Sequence, residues 1–67
     1  MDEAKQRVVD ELNELSERTS KLIDFTLSEK YGSLSLHMQY LMDKQIYIML
    51  NYVDVLRRRL ACWDMTD

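Results

Sequence analysis

The residue types able to do chemistry are few in this chain, and their spacing decides what they can do. Its 67 residues include one cysteine, Cys62, and one histidine, His37. If both lie on one helix they stand roughly 37 Å apart at 1.5 Å per residue, too far for a thiol–imidazole dyad within a chain. An antiparallel dimer would bring one near the other, but a helix-start histidine and a small packing residue account for both. No metal site or cofactor is expected. Asp10, Glu11, Glu14 and Glu17 offer carboxylates. Basic residues follow several of them at helical spacing, and a solvated helix face explains the set better than acid–base work.

Two other constellations carry more. Arg57, Arg58 and Arg59 are consecutive. If the chain folds back on itself, they return beside Lys5 and Arg7 and form a candidate contact for an anion or an acidic partner. The alternative is that cations in the last turns of a helix offset the negative end of its dipole, which needs no ligand. Gln45, Tyr52 and Arg59 recur every seven residues. Such a polar column either pairs with its own copy across a symmetric interface and fixes register, or lines a groove with Tyr52 as a stacking surface and Arg59 as an anion contact.

These side chains need a long helix to position them, and periodicity supplies one from about residue 35 to 63. Met42, Ile46, Met49, Val53, Leu56, Leu60 and Trp63 alternate by four and three, the seam of a packed helix. Leu34, Leu41, Ile48, Val55 and Cys62 form a second column, and Met38 heads the polar one. Together the columns cover about 160° of helix surface, more than the ~100° that one neighbouring helix occupies. The seam, with Gln45 and Tyr52, is therefore assigned to an oligomer interface. Tyr40, Tyr47 and Leu50 project from the arc that should be polar, which makes them candidate contacts for another partner.

A first helix is expected over about 2–31. Val8, Leu12, Leu15, Thr19, Leu22 and Thr26 form a narrower stripe weakened by two threonines. Asp2 and Glu3 suit its first turn and Lys30 its last. Gly32, the only glycine, falls where this pattern ends and is expected to cap it in a left-handed conformation. The turn spans about 32–35, with Ser35 as the next N-cap, and so short a link folds the helices antiparallel. Residues 64–67 carry no pattern and should fray. One helical-hairpin domain results.

At 8.1 kDa the chain is below the roughly 70–80 residues at which one core becomes self-supporting. With one cysteine and one histidine, neither a disulfide nor a metal within the chain can staple it, so self-association is expected. A net charge of -3, with twelve acidic residues among nine basic ones, argues against duplex DNA as a partner. The longest stretch free of charged side chains, Tyr31 to Met42, is too short to span a membrane. Without a secretory leader pattern, a cytoplasmic location is expected.

The chain resembles a family of short helical proteins encoded by tailed phages and prophages, crAss-like phages among them. The likeness rests on Arg7, Val8, Glu11, Leu15, Lys21, Leu22 and Phe25, and on Leu41, Met42, Gln45, Ile46, Met49, Tyr52, Val55, Leu56, Arg59 and Leu60. The turn departs from it by lacking acidic residues ahead of the second helix. What the resemblance implies is a phage accessory protein working in the host cytoplasm, either on a host or defence protein or as an oligomeric sponge for a nucleotide immune signal.

The sequence thus reads as an all-α antiparallel hairpin, self-associating into a bundle and acting by binding rather than catalysis. An antagonist of a host or anti-phage defence protein ranks first. Sequestration of a small anionic nucleotide is the alternative, and a purely structural assembly role is the third.

Overall fold

A computed structural model describes residues 2–63. Three helices follow one another: α1 (Glu3–Thr26), the single turn α2 (Glu29–Gly32) and α3 (Leu36–Ala61). The described residues contain no strand. The two long helices fold back against each other as an antiparallel hairpin. Its two ends meet where the Trp63 indole N–H donates to Asp2 Oδ2 at 3.1 Å. Asp2 also caps α1, its Oδ1 accepting the Ala4 N–H at 2.9 Å. One carboxylate therefore fixes both a helix start and the closure of the hairpin.

The core is a single seam. Val8 and Leu15 from α1 and Val53 and Leu56 from α3 are buried, with Leu12, Met49, Leu60 and Trp63 packed against them. Leu56 is 0% exposed. Thr19 is buried too, and its hydroxyl donates back to the Leu15 carbonyl at 2.7 Å, so a polar side chain in the stripe leaves no group unsatisfied.

The first helix is shorter than its apolar stripe suggests. It ends at Thr26 instead of near residue 31, and Lys30 falls in α2 rather than in the last turn of α1. Hydroxyls explain the break. Thr26 Oγ1 donates to the Ile23 carbonyl and Ser28 Oγ to the Phe25 carbonyl, both at 2.6 Å, competing for acceptors that a continuing helix needs. The Leu27 and Ser28 N–H groups bond three residues back, which tightens the last turn.

Gly32 also corrects the expectation. No residue among those described has a positive φ, so Gly32 is not a left-handed cap. The turn is instead closed by side chains. Gln39 Nε2 donates to the Tyr31 and Leu34 carbonyls, each at 3.1 Å, and the Tyr31 hydroxyl donates to Asp43 Oδ1 at 2.6 Å. Ser35 does cap α3, accepting the Met38 N–H at 3.1 Å. The expected frayed tail, 64–67, lies outside the described residues.

Candidate functional site

The seam assigned to an oligomer interface divides in the structure. Val53 and Leu56 lie against the chain's own α1, so they have no surface left for a second copy, and Met49, Leu60 and Trp63 pack partly on the same core. Met42 and Ile46 are half-buried. A seam that supplies the buried cluster among the described residues faces inward first, because burying it within the chain costs no association entropy. What α3 leaves outside is the second column. Leu41, Ile48 and Val55 are 43%, 56% and 50% exposed.

The arginine run does not act as one cluster. A helix turns about 100° per residue, so three consecutive side chains fan over about 200°. Arg57 leans into the flank beside Leu50 and Val53. Arg58 points outward and pairs with Asp54 at 2.9 Å. Arg59 lies on the other flank, close enough to Tyr52 for its charge to act on the phenol. Lys5 and Arg7 sit near the same end, on α1, because Asp2 and Trp63 meet there.

Each flank of the hairpin carries a groove between α1 and α3. The first, about 240 Å³, is formed by Ser16, Thr19, Ser20, Ile23, Leu50, Val53 and Arg57. It brings together two residues singled out for different reasons, Leu50 and Arg57, under a row of hydroxyls. The second, about 370 Å³, is formed by Arg18, Lys21, Leu22, Phe25, Gln45 and Met49. Its two cations are held only by exposed i,i+4 partners, Glu14 at 3.6 Å from Arg18 and Glu17 at 3.2 Å from Lys21. Exposed pairs of this kind are worth about 0–1 kcal/mol, so neither cation is held tightly.

The polar column extends the second groove toward the chain ends. Gln45, Tyr52 and Arg59 are exposed within the chain rather than buried, and the Tyr52 hydroxyl donates to Glu11 across the hairpin. That bond holds the phenol on the flank that also carries Arg18, seven residues after Glu11. It also raises the Tyr52 pKa above 10.0, since ionising the phenol removes the proton it donates; partial burial and the Glu11 charge add to this and Arg59 opposes it. The Tyr31 phenol is raised for the same reason by Asp43.

Phe25, Lys21 and Arg18 were not singled out as site residues from the sequence. The signal was present as Phe25 and Lys21 lying off the apolar stripe, but placing them beside Gln45 requires the register between two helices. Tyr40 and Tyr47 stand exposed on the outer face of α3, seven residues apart. Cys62 is free and exposed, and His37 is exposed at the start of α3.

No curated protein or solved structure matches the chain. A family model does, over nearly all of its length: the model named Sequestin matches residues 2–62, and the chain belongs to the Sequestin family.

Proposed function

We propose that this chain is a non-enzymatic sequestering protein that holds a small anionic nucleotide in the groove of Phe25, Lys21, Arg18 and Gln45. The family name supports sequestration as the mode of action. The observation that supports this ligand class is the groove itself, where an aromatic ring, two weakly held cations and a side-chain amide line about 370 Å³. That volume lies in the range that small ligands fill. A base has Phe25 to lie against, a phosphate has Lys21 and Arg18, and Gln45 can donate to or accept from a base edge. The smaller groove at Arg57 offers one cation and no aromatic. This ordering reverses the one drawn from sequence, where protein antagonism ranked first. In this reading the chain is a phage or prophage accessory protein that works in the host cytoplasm, lowering the free concentration of a nucleotide immune signal without altering it.

Calorimetric titration with cyclic mono- and dinucleotides tests the reading. At least one should bind, should be recovered chemically unchanged after heat denaturation, and should bind at least about tenfold more weakly to a Lys21→Glu, Phe25→Ala variant. Absence of binding to the whole set, or retention of affinity in that variant, overturns it. Exposed Tyr40, Tyr47 and Leu50 favour a second reading, capture of a host or defence protein. It would be supported by a defined protein complex that Tyr47→Ala abolishes and the groove variant leaves intact.

A further inference from the structure

The hairpin is more open than a compact chain of its length. Its radius of gyration is 15.5 Å, against about 11 Å for a compact chain of this length. It exposes 5445 Å², where size scaling gives about 4,500 Å² for a compact 8.1 kDa monomer. The excess of about 900 Å² matches the ~800 Å² that each partner contributes to a standard protein interface. Part of the exposed apolar surface follows one line on α3, the column Leu41, Ile48 and Val55, beside the Gln45–Tyr52–Arg59 flank; Leu27, Leu36, Tyr40, Tyr47 and Leu50 are exposed elsewhere.

That column is symmetric in spacing about Ile48, with an exposed aliphatic residue seven positions to either side. An isologous contact has this property, because a two-fold axis at one residue pairs every other residue with its mirror position. We propose that a second copy of this chain covers the ridge, with the two α3 helices antiparallel about Ile48, and that Tyr52 of each copy thereby closes the Phe25–Gln45 groove of the other.

A two-fold axis lying in the interface and crossing α3 at Ile48 reverses the helix direction but keeps each hairpin's α1 on the same side of the contact. Leu41 then faces Val55 of the second copy, and the groove flanks of the two copies face each other. Tyr52 of the second copy falls at the level of Lys44, one residue from Gln45, where the groove of the first copy lies open. A groove with two walls then faces a third, the Tyr52 ring of the second copy, which that copy's own Glu11 holds at the mouth of the trough. What the closed groove holds rests on the sequestration reading; the pairing of copies rests on the exposed ridge alone.

Disulfide trapping without ligand tests the pairing directly. Facing helices 8–10 Å apart bring the Cα atoms of a residue on the two-fold axis to about 4–6 Å, within disulfide range. In a Cys62→Ser background, Ile48→Cys should crosslink to itself at least about tenfold more completely than Tyr47→Cys on the outer face. A mixture of Gln45→Cys chains and Tyr52→Cys chains should give a crosslinked pair of the two. Sedimentation equilibrium of the unsubstituted chain should return twice the 8.1 kDa chain mass. A monomer at high micromolar concentration, or crosslinking no better at 48 than at 47, overturns the pairing. Trapping at 48 without trapping between 45 and 52 overturns the shared groove. Trapping at both sites without nucleotide binding would instead sink the sequestration reading and leave the pairing standing.

Discussion

Replacing Leu56 by alanine should cost this protein more than any other single truncation on α3, because among the described residues Leu56 is the one large side chain buried completely. Leucine-to-alanine changes in cores cost about 2–5 kcal/mol, the larger values arising where the surroundings cannot close the cavity. Here the surroundings are two helices with solvent on both flanks, and Leu12, Met49, Leu60 and Trp63 are only partly buried beside the site. They can lean inward, which places the cost near the lower end, about 2–3 kcal/mol. For a chain of this size each kcal/mol lowers Tm by about 4–8 °C, so the drop should be roughly 10–20 °C. Thermal unfolding followed by circular dichroism at 222 nm measures it, with chain concentration held fixed because self-association would couple to Tm. A drop below about 4 °C would mean that Leu56 does not anchor the seam and that the packing of α1 on α3 has been read wrongly.

Gly32→Ala should raise stability by about 0.4–1 kcal/mol, since the residue has no positive φ and a Cβ there meets nothing within 4 Å. A loss of stability in chemical denaturation would show that Gly32 does need its conformational freedom. Alkaline pH should weaken the fold through Tyr31 and Tyr52. Both have folded pKa values raised above 10.0, so their contribution is complete below the unfolded value and disappears as pH climbs through the folded ones. Denaturation curves from neutral pH to beyond 10 should show this loss, and a Tyr31→Phe, Tyr52→Phe chain should lose stability less steeply; equal slopes would refute it.

The hairpin was legible because its core is built from one spacing rule on each helix. The four-and-three alternation through Met49, Val53, Leu56, Leu60 and Trp63 finds the buried line of α3, and Val8, Leu12, Leu15 and Thr19 find that of α1. Ser35 was legible as a cap because an oxygen-bearing side chain stands just before the apolar columns. The break after Thr26 was hidden by the same rule, since Leu22 and Thr26 continue the apolar period while the Thr26 and Ser28 hydroxyls end the helix. Periodicity records which face a residue occupies and is blind to local competition for carbonyls. Gly32 misled for the converse reason: glycine permits a left-handed cap without requiring one.

Charge adjacency in sequence proved a poor guide to charge adjacency in space. Arg57, Arg58 and Arg59 looked like one site because they are neighbours in the chain, and helical rotation sends them to one groove, to Asp54 and to Tyr52. Residues seven apart stay together instead, as Gln45, Tyr52 and Arg59 do along one flank. Even that column has no evident chemistry until α1 is set beside it. Glu11 and Tyr52 are 41 residues apart and share a hydrogen bond, and Lys21 and Phe25 meet Gln45 only because the turn fixes how far α3 slides along α1. Nothing in either helix alone states that offset. The polar contacts that fix it are Tyr52 to Glu11 and Trp63 to Asp2 across the hairpin, with Gln39 and Asp43 holding Tyr31 of α2 at the turn. Those polar contacts add little to the core and a great deal to the site, because a shift of one helical turn would leave the apolar seam packed and carry Gln45 about 5.4 Å away from Phe25.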